Sequence, residues 1–210
     1  MKQKIFLIIF IFIASNIFPQ GFKVNASGEK TFNFTDRGKR NQASFYSTTP
    51  LEDITGLTND INGKVTLKVE DIKSIRGDFS VSVSSIKTGI DLRDEHLREE
   101  NWLNADKYPD IKFSIKEISN VKQIADNRFQ VEFSGDFTLR GITKRISGNA
   151  TITYLVESEQ TKQRAPGDLL GVQAKFNVRL ADFGVNNNIV GQKVAEVVEV
   201  SVNMVGSSAL

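Results

Sequence analysis

A chain of 210 residues with no cysteine must be held by its apolar core. It has no disulfide framework, thiolate metal site, cysteine nucleophile or lipidated cysteine to draw on. Lys and Arg number 27 against 25 Asp and Glu; without Lys2 and Lys4 the remainder is formally neutral and lacks the basic face that phosphate binding requires, so nucleic acid is excluded as a partner.

Lys2 and Lys4, the apolar run Ile5 to Ile13, then Ala14-Ser15-Asn16 and Pro19 follow the order of a secretory signal peptide. The run is shorter than the roughly 20 apolar residues that span a bilayer. Residues 1–20 are therefore expected to be a cleaved leader, with no stable membrane anchor. The remaining 21–210 suffice for one domain of ordinary burial.

Strand patterns then succeed one another at short spacing: Thr31 to Thr35, Gln42 to Thr48, Asp53 to Thr58, Lys64 to Glu70 and Arg76 to Ile86, followed after a gap by Asp110 to Ile118, Arg128 to Leu139, Lys144 to Glu157, Gly171 to Ala181 and Gln192 to Val205. Each long one carries a single apolar face, as in Phe129, Val131, Phe133 against Gln130, Glu132. Strict alternation of this kind places one face on a shared interior and the other in water. The expectation is an all-β, closed antiparallel barrel of about eight strands, because closure removes exposed edges. Gly135 and Gly148 fall inside strand patterns and predict bulges or barrel bends. Ser158 to Leu170 is polar and patternless, and reads as a long mobile hairpin loop.

The gap holds one short helical excursion, Asp91 to Asn104, with Asp91 expected as N-cap and Asp94 and Glu95 in the first turn. Leu92, His96, Trp102 and Leu103 are expected to face the barrel, the segment lying across one end as a lid. Pro109 returns the chain to an extended path.

Chemistry-bearing residues are sparse. His96 is the only histidine, where a catalytic zinc site usually takes two or three, so no metal or cofactor is expected. His96, Asp94 and Glu95 form the only cluster that an acid–base enzyme could use. Asp182-Phe183-Gly184 repeats a kinase tripeptide without the glycine loop or catalytic loop that would give it meaning. The 15 phenylalanines could fill a core or line a ligand-holding bore, and composition does not choose.

The wording of four segments narrows the reading. Thr88 to Phe113 (TGIDLRDEHLREENWLNADKYPDIKF), Ser134 to Arg145 (SGDFTLRGITKR), Leu180 to Val185 (LADFGV) and the closing stretch from Val190-Gly191 resemble the YceI-like family, periplasmic proteins with a lipocalin-like barrel that bind polyisoprenoid lipids. The family's early His-Ser pair is absent before Phe45, and Pro50 to Ile54 and Ser158 to Leu170 also differ. The resemblance implies a periplasmic protein, with no catalytic residue, that sequesters an isoprenoid or other long-chain amphiphile in a hydrophobic tunnel with its polar head near the mouth. It points to Phe79, Val81, Phe113, Ile115, Phe133, Phe176 and Val178 as tunnel lining. Leu92 and Trp102 are the lid contacts, with His96, Arg93, Arg98 and Lys144 as further lid or head-group candidates. Burying one methylene contributes about 0.8 kcal/mol, so one isoprene unit contributes roughly 3 kcal/mol before ordering costs. An enzyme or redox accessory acting on a lipid or quinone-like isoprenoid, and a filled barrel serving as a stress-response partner, remain as alternatives; self-association into a homodimer is left open.

Overall fold

The computed structural model describes residues 20–209; the expected leader lies outside the described residues apart from Gln20. The described chain forms ten antiparallel strands: β1 (Glu29–Asn33), β2 (Gln42–Thr48), β3 (Asp53–Thr58), β4 (Ile61–Lys68), β5 (Asp71–Ser82), β6 (Asp110–Ala125), β7 (Arg128–Leu139), β8 (Ile142–Leu155), β9 (Leu169–Arg179) and β10 (Val197–Ser207). Their order is β1-β4-β5-β6-β7-β8-β9-β10-β2-β3, and an added β1–β10 pairing at Asn33 and Ser207 closes the ring.

The ten strands make eight staves. β10 pairs with β2 over Glu199 to Asn203 and meets β1 at Ser207, so β1 and β2 are halves of one interrupted stave. β3 and β4, paired with β2 and β1, are halves of the next. Asn41 repairs the first interruption: its amide donates to the carbonyls of Phe34 (2.8 Å) and Val205 (3.2 Å), and its Oδ1 accepts from the Val205 N–H (2.8 Å). A side chain thus supplies the partners that a continuous ladder would have provided.

β6 runs seven residues beyond its expected end at Ile118. The register slips between Ile115 and Glu117 and twice more beyond. Each slip inserts an extra residue and reverses the inward phase. The first slip turns Ile118 into the core where unbroken alternation would have sent Glu117, and this change of phase hid the strand's continuation. β10 begins five residues later than expected, because Gln192 to Glu196 lie in a turn tied by a Val190–Val194 bridge. The Ser158 to Leu170 segment is not a bare loop. It carries a short helix, α2 (Glu159–Lys162), with Ser158 and Thr161 forming a capping box, and Leu169 and Leu170 already belong to β9 and are buried.

The helical excursion is shorter than expected. α1 spans Asp91–Arg98, followed by turns through Leu103. Asp91 is its first residue and not its cap; Ile90 holds that position, with no side-chain cap bond. The anchoring acid is Asp94, 2% exposed, whose Oδ1 accepts from the Thr88 N–H and hydroxyl at 2.7 Å each. Lys87 stands 3.5 Å from its other oxygen. Arg140, on the β7–β8 turn, donates to the carbonyls of Glu100 (2.7 Å) and Trp102, pinning the far end of the lid.

Burial alone would raise the Asp94 pKa, but the two Thr88 bonds and Lys87 outweigh it and hold the carboxyl below its ordinary value. A depressed folded-state pKa stabilises above the unfolded value, about pH 4, and the contribution is lost as pH falls through the folded value. Asp94→Asn is therefore expected to cost roughly 2 kcal/mol at neutral pH, the size of charge-assisted bonds lost from a buried site. In urea unfolding at a series of pH values, the gap between wild type and variant should shrink below about pH 4.

The base of the barrel is a packed aromatic plug. The chain from Gln20 crosses it, fixed by Phe22 N–H to Val69 O and Ile72 N–H to Gln20 O, both 2.8 Å. Phe22 then packs against Phe129 (5.2 Å between ring centroids) and Tyr154 (5.4 Å). Tyr154 is wholly buried, and its hydroxyl donates to Asp168 Oδ2 at 2.6 Å. At the opposite end Val83, Leu103, Leu139, Leu180, Phe183 and Val198 pack beneath the lid.

Candidate ligand-binding cavity

Between the two plugs the bore is hollow, and the cause is a repeated pairing of phenylalanine with glycine. Gly56, Gly63, Gly135, Gly148 and Gly206 lie at inward positions of their strands. A Cβ at each would fall within 2.2 to 2.8 Å of a ring atom of Phe45, Phe79, Phe113, Phe133 and Phe34 respectively. A ring laid over a glycine rests flat against the neighbouring strand instead of reaching across the bore, a cross-strand arrangement known to support glycine in sheets. Gly135 and Gly148 are thus seats for aromatic rings. Gly135 adjoins the β6 register slip, whereas the β7–β8 register through Gly148 is unbroken, so the expected bulge is absent there.

The space left open is a chamber of about 190 Å³ whose wall is almost entirely apolar. Phe113, Phe133, Phe137 and Phe176 form one aromatic side, with Phe113 stacked on Phe176 at 6.3 Å and Phe133 edge-on to both at 5.6 and 6.1 Å. Ala150 and Ala174, paired across β8 and β9, supply its shallowest stretch.

Six of the seven expected lining residues, Phe79, Val81, Phe113, Ile115, Phe133 and Phe176, are on this wall. Val178 is not: it is buried in the plug under the lid. The expected hydrophobic tunnel takes the form of a chamber with packed side chains at both ends.

A second hollow of about 290 Å³ lies outside the chamber, under the lid, with Ile54, Thr88, Leu92, Arg93, His96 and Trp102 among its lining residues. Leu92, His96, Arg93 and Trp102 are thereby brought together at a vestibule. Leu92 is 60% exposed, so the residues that face the barrel from this segment are Leu97, Trp102 and Leu103. Arg93 is already engaged, 2.7 Å from Glu52 and bonded to the Thr88 hydroxyl at 3.1 Å. Arg98 faces a different depression beside Glu95, Glu99 and Asp106. Lys144 is exposed at the start of β8, away from the vestibule. Ile189, Lys193 and Val194 also line the vestibule; Lys193 and Val194 were expected in the last strand, and Ile189 in no element.

The cluster an enzyme would need is dispersed. Asp94 is committed to Thr88 and Lys87, Glu95 faces the depression with Arg98, and His96 is exposed at the vestibule. Phe45 and Gly56 escaped sequence reading although both sit on inward phases, Ala43-Phe45-Ser47 and Ile54-Gly56-Thr58. Their pairing across β2 and β3 is what matters.

A model of the YceI-like domain matches residues 30–206. The chain belongs to the YceI-like family. Protein YceI of Escherichia coli O6:H1 is 25% identical over 193 residues, covering 90% of each chain. A UPF0312 protein of Pseudomonas fluorescens is 28% identical over 131 residues, 62% of this chain and 64% of that one, so this match spans under two thirds of the relative's length. Among solved structures, BcnA of Burkholderia cenocepacia superposes with a TM-score of 0.64 at 16% identity, over 81% of this chain and 98% of that one. A polyisoprenoid binding domain from Saccharophagus degradans, implicated in plant cell wall breakdown, gives 0.61 at 14% identity over 87% and 99%. At these identities the structural likeness carries the eight-stave YceI-like barrel. The alternating pattern and the wording of Thr88 to Phe113 had both pointed to it.

Proposed function

We propose that this YceI-like protein is an exported, periplasmic binding protein that shelters the tail of an isoprenoid-type lipid in the chamber, with the polar head in the vestibule. The observation that carries the reading is the chamber wall: a cavity with almost no polar surface has nothing to offer a sugar, nucleotide or metal. It favours a hydrocarbon at roughly 3 kcal/mol per isoprene unit before ordering costs. The Saccharophagus neighbour, described as a polyisoprenoid binding domain, supports the ligand class. The leader-like order of Lys2, Lys4 and Ile5 to Ile13 supports export. Retention needs no catalytic group and no cofactor, and each barrel holds its own ligand whether the protein is a monomer or a homodimer.

Native mass spectrometry of protein released from the periplasm without detergent tests this. The expected spectrum shows the cleaved chain carrying one lipid, which organic extraction removes and tandem fragmentation identifies as isoprenoid. A spectrum of bare chain from protein handled in this way overturns the reading.

A further inference from the structure

Chamber and vestibule touch at one side chain. Comparing the two linings, Phe45 is the residue common to both. Its ring lies on Gly56, where a Cβ would come within 2.2 Å of Phe45 Cε1. The β5–β6 ladder is paired from Gly77 to Ser82, the gap beside β3 is sealed by reciprocal 2.8 Å bonds between Leu57 and Lys87, and the base is filled by Phe22, Phe129 and Tyr154.

We propose that Phe45, seated on Gly56, is the gate between vestibule and chamber and the residue that sets how long a tail the barrel accepts. The proposal rests on the lipid-binding reading above. An engineered apolar cavity of about 150 Å³ holds one benzene, so by proportion a chamber of about 190 Å³ holds roughly eight carbon atoms. That is between one and two isoprene units. A longer tail cannot go deeper, because the aromatic plug stands below. It must extend outward past Phe45, and the ring has to leave its glycine seat and turn into the vestibule. With the ring on Gly56 the two spaces are separate; with the ring displaced they form one bent channel, and the vestibule, lined by Ile54, Leu92, Leu97 and Trp102, takes the extra carbons. Phe45 therefore acts as a specificity-determining residue, its displacement being a single cost that any tail longer than the chamber must offset.

The test is a chain-length series. Geraniol, farnesol and geranylgeraniol, with two, three and four isoprene units, are titrated into delipidated wild type and Phe45→Ala. The readout is the fluorescence of Trp102, the chain's single tryptophan, which lines the vestibule. From geraniol to farnesol, wild type should gain about tenfold less affinity than Phe45→Ala. Phe45→Ala should bind farnesol and geranylgeraniol about tenfold more tightly than wild type, with geraniol changed less than about threefold, since only the longer tails exploit the merged volume. Circular dichroism verifies the fold, and Phe45→Leu, which keeps an apolar side chain of smaller reach, gives a shift in the same direction if the alanine variant fails to fold. Parallel length profiles in wild type and variants overturn the gate. Failure of all three alcohols to bind wild type overturns the lipid-binding reading itself, and the gate with it.

Discussion

Ala174→Phe is expected to abolish ligand retention while leaving the barrel folded. Ala174 lines the chamber, pairs with Ala150 on β8 and Val202 on β10, and is only partly buried because the chamber lies in front of it. A phenyl ring placed there occupies most of a space that holds roughly eight carbons. Each isoprene unit it displaces removes about 3 kcal/mol of transfer free energy, a loss of at least about 100-fold in affinity. The ring enters empty volume, so the overpacking penalty of a filled core does not arise, and cavity filling commonly stabilises. The melting temperature should therefore hold or rise. Ala174→Ser, equal in size, is the control that keeps the volume. Farnesol titration and a thermal melt on the same samples decide the matter. Undiminished affinity in the folded phenylalanine variant would place the ligand elsewhere.

Gly148→Val is expected to produce the largest loss of stability. At Gly56 an added Cβ meets only the end of a ring that can turn away, but at Gly148 it would fall 2.3 Å from the Lys175 carbonyl and 2.8 Å from Phe176 Cβ. Both obstacles belong to β9, whose register with β8 runs unbroken from Gly148 to Leu155. Relief requires the two strands to part, taking the Phe133 and Phe176 rings with them. A cost of about 3 kcal/mol, at the upper end for overpacking, lowers the melting temperature of a domain this size by roughly 6–12 °C. Gly56→Ala, where the clash is with the Phe45 ring alone, should cost less. Equal stability for Gly148→Val and wild type would mean that the glycine seats are not what shapes the interior.

The barrel was legible wherever alternation ran unbroken between turn residues. β2, β3 and β7 fall on their expected bounds to the residue, because each keeps a strict inward phase along its whole length. The continuation of β6 past Ile118 escaped because its register slips invert the phase, so that Ile118 and Val121 occupy inward positions no single alternation connects. Alternation also shows which face a residue takes but not its height along the bore. Val178 shares its face with Phe176 yet lies one level higher, inside the plug, whereas Phe176 fronts the chamber. Lys144 shows the same limit at the rim: it shares the inward phase of Ile146 and Gly148 but stands at the strand's exposed start. Helical spacing brought Leu92, His96 and Arg93 to one vestibule and placed Arg98 on another face. The feature least accessible to a linear reading was the ring-on-glycine pairing. It joins Phe45 to Gly56 and Phe113 to Gly135 across strands, and a glycine in a strand pattern reads locally as a bend or a bulge.

A crystal structure of the protein saturated with farnesol shows whether the apolar chamber of this YceI-like barrel receives the lipid tail proposed for it. Continuous elongated density is expected among Phe113, Phe133 and Phe176, reaching past a displaced Phe45 toward Trp102. Side chains collapsed into the chamber, with farnesol absent from it or bound on the outer wall, would contradict it.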